Sequence, residues 1–242
     1  MGLGLDSVLS EEVQAEESWC TRMPLDCAQD LAWQADPRLK EGAGRLGRAR
    51  LKRFVDVVGA LFGLILLSPF LIAVSILIKL GSRGPILFRQ KRTGYDGATF
   101  TIYKFRTMAA SEDGPIVVQA TRHDCRATRL GRFLRRTSID ELPNLINVLR
   151  GEMSLVGPRP HAVSHDRYWS MLVPEYEGRF MAKPGLTGFA QVEGFRGETP
   201  NVESMAARVS RDLNYIRNWS LQLDFEIILR TLLIGPFDPA AY

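Results

Sequence analysis

Residues 57–78 contain no charged side chain, and this feature limits most strongly what the chain can fold into. At about 1.5 Å per residue, a helix of these 22 residues would be about 33 Å long. The hydrocarbon core of a bilayer is about 30 Å thick, and surface helices of soluble proteins carry polar residues on one face. The segment therefore predicts a helix that is inserted in a membrane.

A proline and the flanking charges indicate how this helix lies in the membrane. Pro69 follows Ser68 in the middle of the segment, where proline removes a backbone hydrogen bond and kinks a helix. Basic residues cluster on both sides, at positions 38–53 and 79–92. Because Lys and Arg concentrate on the cytoplasmic side of membranes, a re-entrant hairpin broken at Ser68-Pro69 satisfies both clusters. A kinked helix that spans the membrane once is the alternative.

The segment before the membrane helix is polar and ends in a basic run. We predict that residues 1–48 form a polar, partly disordered extension whose basic juxtamembrane run attracts anionic headgroups. A solvated linker is the alternative. The first residues lack the basic and apolar regions of a cleaved signal peptide. The chain has three cysteines without a CxxC spacing, which indicates neither a disulfide framework nor a zinc site.

Three regions follow from these changes in composition. Residues 1–48 are the extension, residues 49–80 are the re-entrant membrane helix, and residues 81–242 are a third domain with the length and apolar content to bury a core. The whole chain carries a net charge of +4, concentrated locally, which favours anionic partners.

Periodicity in the third region predicts a few regular elements. A turn at Gly94-Tyr95-Asp96-Gly97 separates two short strands. Apolar residues at helical spacing predict amphipathic helices near 126–136, 142–149, 205–216 and 221–234. The last of these is expected to be interfacial or packed on the domain. The predicted fold class is α+β: a re-entrant membrane helix-hairpin, a mainly helical domain, a small β-hairpin and amphipathic interfacial helices.

Two adjacent carboxylates, Asp140 and Glu141, follow the most arginine-rich segment of the chain. Nearby cations keep carboxylates ionised, and an ionised aspartate can attack phosphorus while guanidinium groups neutralise a phosphate. Ser138 and Glu141 also have the spacing of a capping box, and on spacing alone this structural interpretation is favoured. Pro143 weakens it, because the missing N–H of proline begins to matter at that position. Both interpretations can hold, since helix N-termini also attract anions.

Three loops and a pair of histidines complete the candidate residues. Gly157-Pro158-Arg159-Pro160 predicts a stiff loop that holds one arginine in place. Residues 183–188 and 194–199 are glycine-rich, a pattern that lets backbone N–H groups approach phosphate but is weak by itself. His161 and His165 are four residues apart, but they lack the HExxH pattern and further ligands, so a packing or surface role is favoured over a metal site.

As a set, these motifs resemble the bacterial sugar transferases, the monotopic phosphoglycosyl transferases that load a sugar phosphate onto a polyprenyl phosphate. The resemblance runs from about residue 50 to the C-terminus and rests on these motifs: Ser68-Pro69, Phe88-Arg89-Gln90-Lys91-Arg92-x-Gly94, Tyr103-Lys104-Phe105-Arg106-Thr107-Met108, Arg135-Arg136-Thr137-Ser138-Ile139-Asp140-Glu141-Leu142-Pro143, residues 150–160 and Pro184-Gly185-Leu186-Thr187-Gly188. Residues 194–199 and 218–221 are most similar to undecaprenyl-phosphate glucose phosphotransferases. Ile139 replaces a more usual Leu. Many of those proteins carry a multi-helix membrane region and a further domain before this core, where this chain has about fifty polar residues.

The resemblance implies a two-step transfer of a hexose 1-phosphate, glucose or galactose, from a UDP-sugar to undecaprenyl phosphate, with UMP released. Asp140 would be the nucleophile and Glu141 its catalytic partner, with Mg²⁺ bound near Asp140 or Glu141. Substrate phosphates would be bound by five basic residues: Lys104, Arg106, Arg135, Arg159 and Arg196. The catalytic domain would lie on the cytoplasmic face of the bacterial inner membrane, in contact with membrane lipid, and the protein can assemble as a homo-oligomer. The product would initiate exopolysaccharide, capsule or related glycan synthesis.

Other functions remain open on the sequence. The same reaction with an N-acetylhexosamine or diacetamido sugar is the nearest alternative. A non-catalytic membrane adaptor that binds acidic lipid through residues 38–53 is a second, although it would not need the Asp140-Glu141 pair. Nucleic-acid binding, suggested by the arginines, is disfavoured by the charge-free segment.

Overall fold

Helices make up most of the protein in the computed structural model, which describes residues 32–108 and 124–234. In chain order the α-helices are α1 (Ala32–Ala35), α2 (Pro37–Arg48), α3 (Arg50–Gly81), α4 (Arg129–Thr137), α5 (Leu145–Arg150), α6 (Val163–Leu172), α7 (Phe189–Val192), α8 (Val202–Arg217) and α9 (Leu221–Ile234). Short 3₁₀ helices lie at Tyr95–Gly97, Ile139–Asn144 and Tyr176–Met181. The polar loop around residues 109–121 and the start of the N-terminal extension lie outside the described residues.

Two small sheets accompany the helices. Strands β1 (Leu87–Thr93) and β2 (Thr99–Phe105) form an antiparallel hairpin in which Leu87 lies opposite Phe105. The hairpin predicted from the sequence is therefore confirmed, and its turn contains Asp96 at a φ of 54°. Strands β3 (Ser154–Val156) and β4 (Gly185–Thr187) form a parallel pair that the sequence did not predict.

Glycines allow β3 and β4 to approach each other closely. Gly157 N–H donates to Thr187 O, and Gly185 N–H donates to Pro158 O, both over 2.9 Å. A Cβ atom at Gly185 would overlap Gly157 N. The glycine-rich segment at 183–188 thus allows close backbone packing. Through Gly185 it also contacts the loop that carries Arg159.

Helix α3 runs through Ser68 and Pro69 without an interruption, so the predicted two-helix hairpin is not confirmed. Proline removes one N–H donor from the helical ladder, and the bonds on either side continue the helix. Ser68 Oγ donates instead to Ile65 O over 2.8 Å. A proline at this position is a source of bending within a continuous helix rather than a necessary end to it.

One face of α3 packs against the folded domain, while large apolar side chains on the rest of its surface are exposed. Ala60 joins a buried cluster with Ile102 and Leu145, while Val74 and Ile78 join another that contains Phe105 and Leu134. The exposed large apolar side chains between Ala60 and Val74 are Leu61, Phe62, Ile65, Leu66, Phe70 and Ile72. By length and composition, α3 is able to cross a membrane.

Buried polar contacts fasten the start of α3 to the domain. Lys52 Nζ lies 2.6 Å from Asp224 Oδ2 and also donates to Val156 O. One turn later, Asp56 Oδ1 accepts from Ser154 Oγ and Leu155 N–H. Because these groups are buried and would be costly to leave unpaired, they hold the helix in a defined position on β3 and α9.

The basic run before α3 is a helix, which the sequence analysis did not predict. Asp36 caps α2 by accepting from the N–H groups of Arg38 and Leu39, and its other oxygen pairs with Arg217 at the end of α8. Leu39 is fully buried in the main core. Residues 37–48 therefore form part of the folded domain instead of a disordered or solvated segment.

The main core is centred on α8. Its predicted inward face is confirmed, since Met205, Val209, Leu213 and Ile216 are all buried. Helix α9 buries Ile227 in the same core but exposes four large apolar side chains on the other side: Phe225, Leu229, Leu232 and Leu233.

Replacement of Gly185 by Ala tests the close approach of β3 and β4. We expect Gly185→Ala to lower the free energy of unfolding by about 1–3 kcal/mol, as overpacking does in a tight interior. Thermal unfolding in detergent measures the change. Gly47→Ala is the matched control, because nothing lies within 4 Å of a Cβ at that helical glycine, and no loss is expected there. Equal stability of the two variants would contradict the interpretation.

Candidate active site

The Asp140-Glu141 pair lies on a 3₁₀ helix that follows a sharp reversal of the chain. Helix α4 is capped by Thr128, whose Oγ1 accepts from Gly131 N–H, and it ends at Thr137. Ser138 then adopts a left-handed conformation with a φ of 58°. The capping box predicted at Ser138 is wrong: its hydroxyl makes no capping bond, and the Glu141 side chain points to two cations instead.

The segment Ile139–Asn144 is held against β2. Pro143 lacks an N–H, so an ordinary α-helix starting at Ser138 would lose a bond there, and the chain forms a 3₁₀ helix before α5 begins. The Asn144 side-chain oxygen accepts from Tyr103 N–H over 3.1 Å. This contact fixes the carboxylate pair beside Lys104, the next residue of β2.

Glu141 is fully engaged by cations. Its Oε1 lies 2.8 Å from Lys104 Nζ and 2.5 Å from one terminal nitrogen of Arg159, whose other terminal nitrogen lies 3.0 Å from Oε2. Burial by itself raises the pKa of Glu141, but the charges of Arg159 and Lys104 outweigh it and hold the pKa well below its usual range. Glu141 is therefore an ionised anchor for both cations.

Asp140 has the opposite environment. It is only 8% exposed, and among residues 32–108 and 124–234 no hydrogen bond or ion pair to its carboxylate is found. Burial and the charge of Glu141 raise the pKa of Asp140 to about 6, against the lowering effect of Lys104, Arg135 and Arg159. An aspartate that is buried, unpaired and close to three cations is suited to attack an electrophile that those cations attract.

The two predicted metal ligands differ in their fit to Mg²⁺. Asp140 has both carboxylate oxygens available, whereas both oxygens of Glu141 are occupied by Lys104 and Arg159. The described part of the chain contains no group of three or more His, Cys, Asp or Glu residues that could hold a metal. Mg²⁺ commonly binds through one or two carboxylates together with substrate phosphates, and Asp140 fits that mode.

The other predicted site residues divide into two groups. Lys104, Arg135 and Arg159 lie close enough to act on the charge of Asp140. Arg106 is committed elsewhere, because its terminal nitrogens donate to Arg83 O and to Ser82 at the end of α3. The contacts thus favour a structural role for Arg106, as a cap at the C-terminal end of α3.

Three predicted residues lie far from the carboxylate pair in the sequence: Arg196, Ser68 and Pro69. Arg196 is half-buried in the loop at 194–199, and Arg208 donates to Gly197 O in that loop. Pro69 lies in the uncovered middle of α3, after Ser68.

Arg92 is a residue of this site that the sequence analysis did not single out. One of its terminal nitrogens donates to Pro160 O over 3.2 Å, and its charge acts on Arg159, Asp166 and Glu141. The signal that could have identified it is the alternation of side chains along a strand. In β1, Arg89 and Lys91 are exposed, and Gln90 between them is buried. Arg92 follows on the inward side.

The environment of Asp140 predicts how its pKa responds to its neighbour. In Glu141→Gln, the negative charge that raises the pKa of Asp140 is gone and Lys104 and Arg159 lose their partner, so the pKa of Asp140 should fall below about 6. Carboxyl-detected NMR of aspartate-labelled protein in detergent measures the change, with Asp140→Asn to identify the signal. An unchanged or higher pKa would contradict the interpretation.

Comparison with known proteins agrees with the motifs. The chain matches the family described as bacterial sugar transferase over residues 47–235. A UDP-glucose:undecaprenyl-phosphate glucose-1-phosphate transferase of Caulobacter vibrioides is 57% identical over 181 residues, which are 75% of this chain and 68% of that protein. A transferase of the same name from Escherichia coli is 50% identical over 192 residues, or 79% of this chain and 41% of that protein.

A third relative is similar along most of its own length. The exopolysaccharide production protein PSS of Rhizobium leguminosarum bv. phaseoli is 45% identical over 187 residues, which are 76% of this chain and 94% of that protein. The family match covers most of the chain and includes the motifs around Asp140 and Arg159. The resemblance predicted from those motifs is thereby confirmed, and the chain is a member of the bacterial sugar transferase family.

Proposed function

We propose that this protein transfers glucose 1-phosphate from UDP-glucose to undecaprenyl phosphate and releases UMP. The names of the relatives from Caulobacter vibrioides and Escherichia coli support this substrate pair. The observation that carries the proposal is the different state of two adjacent carboxylates. Glu141 holds two cations, while Asp140 is buried beside them with no hydrogen bond or ion pair to its oxygens from the described residues 32–108 and 124–234.

In the first step, a carboxylate oxygen of Asp140 attacks the β-phosphorus of the donor. A bond forms between that oxygen and phosphorus, the bond from the β-phosphorus to the bridging oxygen breaks, and UMP leaves with the bridging oxygen. Phosphoryl transfer asks the protein mainly for positioning and charge neutralisation. Lys104 and Arg159 supply the charge at this place, since Glu141 holds both beside Asp140.

In the second step, an oxygen of undecaprenyl phosphate attacks the same phosphorus. The acyl phosphate bond to Asp140 breaks, the carboxylate is restored, and the product is a diphosphate-linked sugar on the lipid. Division into two steps suits an enzyme whose donor is in water and whose acceptor is in the membrane. The name of the relative from Rhizobium leguminosarum supports exopolysaccharide synthesis as the purpose of the product.

A Mg²⁺ ion would be bound by Asp140 together with the donor's diphosphate, where it would neutralise phosphate charge. Glu141 would keep its two cations in place throughout the cycle. Arg135 adds a third positive charge that acts on Asp140.

We also propose that α3 lies in the cytoplasmic leaflet of the membrane as one continuous helix, with both of its ends on the cytoplasmic face. The support is that both flanks of α3 pack on one domain, through Ala60 on one side and Val74 and Ile78 on the other. A helix that crossed the bilayer would separate its flanks by about 30 Å of hydrocarbon. The exposed apolar residues between the flanks, from Leu61 to Ile72, would be the part that contacts lipid.

The covalent step predicts that the enzyme can be labelled without its lipid acceptor. Incubation of nanodisc-held protein with [β-³²P]UDP-glucose and Mg²⁺ should leave label on the wild type and none on Asp140→Asn. Gel autoradiography and release of UMP measure the two products of the step. Asp96→Asn, a change of the same chemistry at an exposed turn residue, should label as the wild type does.

A panel of UDP-sugars distinguishes an error in the proposed sugar from an error in the proposed reaction. Label from UDP-galactose or a UDP-N-acetylhexosamine, and none from UDP-glucose, would show that the transferred sugar is not glucose and would still support the covalent mechanism. If no donor labels the protein or releases UMP, the proposed enzymatic activity is contradicted and a lipid-binding adaptor is favoured. Label that persists in Asp140→Asn would exclude Asp140 as the nucleophile.

The topology predicts the accessibility of both flanks of α3. Arg48→Cys and Arg83→Cys are introduced separately into a variant whose three native cysteines are serines. Neither should react with an impermeant maleimide added outside intact cells, and both should react after permeabilisation, because both flanks face the cytoplasm. Labelling of only one variant in intact cells would show that α3 spans the membrane.

A further inference from the structure

A buried cluster of polar side chains lies beneath the loop that carries Arg159. It consists of Arg179, Asp212, His161, Arg208, Tyr176 and Asp166, all of them buried. The transfer chemistry proposed above uses none of these groups directly. Buried charges are costly to maintain, so a cluster of this size suggests a role beyond stability.

Arg179 is the member that reaches the loop. Its Nε lies 2.8 Å from Asp212 Oδ2, in an ion pair whose side chains are each only 2% exposed. A terminal nitrogen of the same guanidinium donates to Arg159 O over 2.6 Å. Asp212 therefore orients the guanidinium, and the guanidinium holds the backbone of Arg159.

Arg159 is consequently fixed at both ends. Its carbonyl accepts from Arg179, and its side chain forms the two-pronged contact with Glu141. Pro158 and Pro160 restrict the backbone on either side, and Gly185 N–H donates to Pro158 O. A movement of the Arg159 backbone would displace the cation that faces the donor's phosphate.

We infer that Arg179, oriented by Asp212, is a positioning residue for Arg159 in the phosphosugar transfer. The inference rests on the proposed function for its catalytic consequence, and on contacts alone for its structural part. An arginine is required because one planar group must donate to a carboxylate and a carbonyl at once, which a lysine cannot do with the same geometry.

The same cluster also contacts the loop at residues 194–199. Tyr176 Oη donates to Asp166 Oδ1 and lies 2.7 Å from His161 Nδ1, which a terminal nitrogen of Arg179 also approaches to 3.2 Å. Arg208 donates to His161 Nε2 over 3.4 Å and to Gly197 O. Arg208 thereby links the loop at 194–199, which carries Arg196, to His161, the residue after Pro160.

The test compares Arg179→Lys with a matched arginine change. Arg179→Lys keeps a positive charge opposite Asp212 but cannot also hold Arg159 O, so we expect kcat for UMP release to fall roughly 10- to 100-fold, as displacement of a catalytic group does. Arg217→Lys is the control, because Arg217 Nε makes an ion pair of similar length, 2.7 Å to Asp36 Oδ2, at the C-terminal end of α8, where its side chain is 27% exposed against 2% for Arg179. Its kcat should remain within about threefold of the wild type.

A double-variant comparison separates positioning from general damage. In an Arg159→Lys background, Arg179→Lys should cost less than about threefold in kcat, because its effect passes through Arg159. The same fold-loss in both backgrounds, or a kcat of Arg179→Lys equal to the wild type, would overturn the inference. Thermal unfolding of each variant confirms that folded protein is compared.

A readout that does not need turnover keeps the inference distinct from the proposed function. Hydrogen–deuterium exchange at the amides of Gly157, Arg159 and His161 should be faster in Arg179→Lys than in the wild type and unchanged in Arg217→Lys. Unchanged exchange in Arg179→Lys would overturn the positioning role. A wild type that releases no UMP from any UDP-sugar would instead overturn the proposed function, while the exchange result would still decide the structural part.

Discussion

The contact of Glu141 with Lys104 and Arg159 is the interaction on which the rest of the site depends. Two neighbouring carboxylates in one buried place would repel each other and compete for the same cations. Because Glu141 takes both cations, its own charge is balanced, and Asp140 remains close to positive charge without a direct partner. The ion pairs thus do more than stabilise the fold: they distinguish an anchoring carboxylate from the one that we propose as the nucleophile.

The site is also connected to the long apolar helix α3 through the folded domain. Lys52 and Asp56 hold the start of α3 against β3 and α9, and Arg106 caps its other end. Strand β3 leads directly into the loop of Arg159, and β2 carries Lys104 and is followed directly by Arg106. The positions of α3 and of the carboxylate pair are therefore set by the same few elements, which suits the proposed transfer between a donor in water and an acceptor in lipid.

Several features were readable from the sequence because they depend on residues close together in the chain. The β1–β2 hairpin follows from its turn residues, and the buried face of α8 follows from its apolar period. The errors arose where distant residues decided the outcome. Ser138 has the spacing of a helix cap, but Glu141 pairs with Lys104 and Arg159 instead of the local backbone. The phosphate-binding role predicted for Arg106 stays a prediction, although its contacts at the end of α3 favour a structural role.

The sequence by itself determined the family, the adjacency of Asp140 and Glu141, and an apolar helix long enough to enter a membrane. These properties are local: they reside in motifs, neighbours and periods that need no partner elsewhere. Only the tertiary structure decided which carboxylate is paired and which is free, that residues 37–48 belong to the folded domain, and that Arg179 holds the backbone of Arg159. Charge pairing and burial decide these outcomes, and both depend on groups that the chain brings together from far apart.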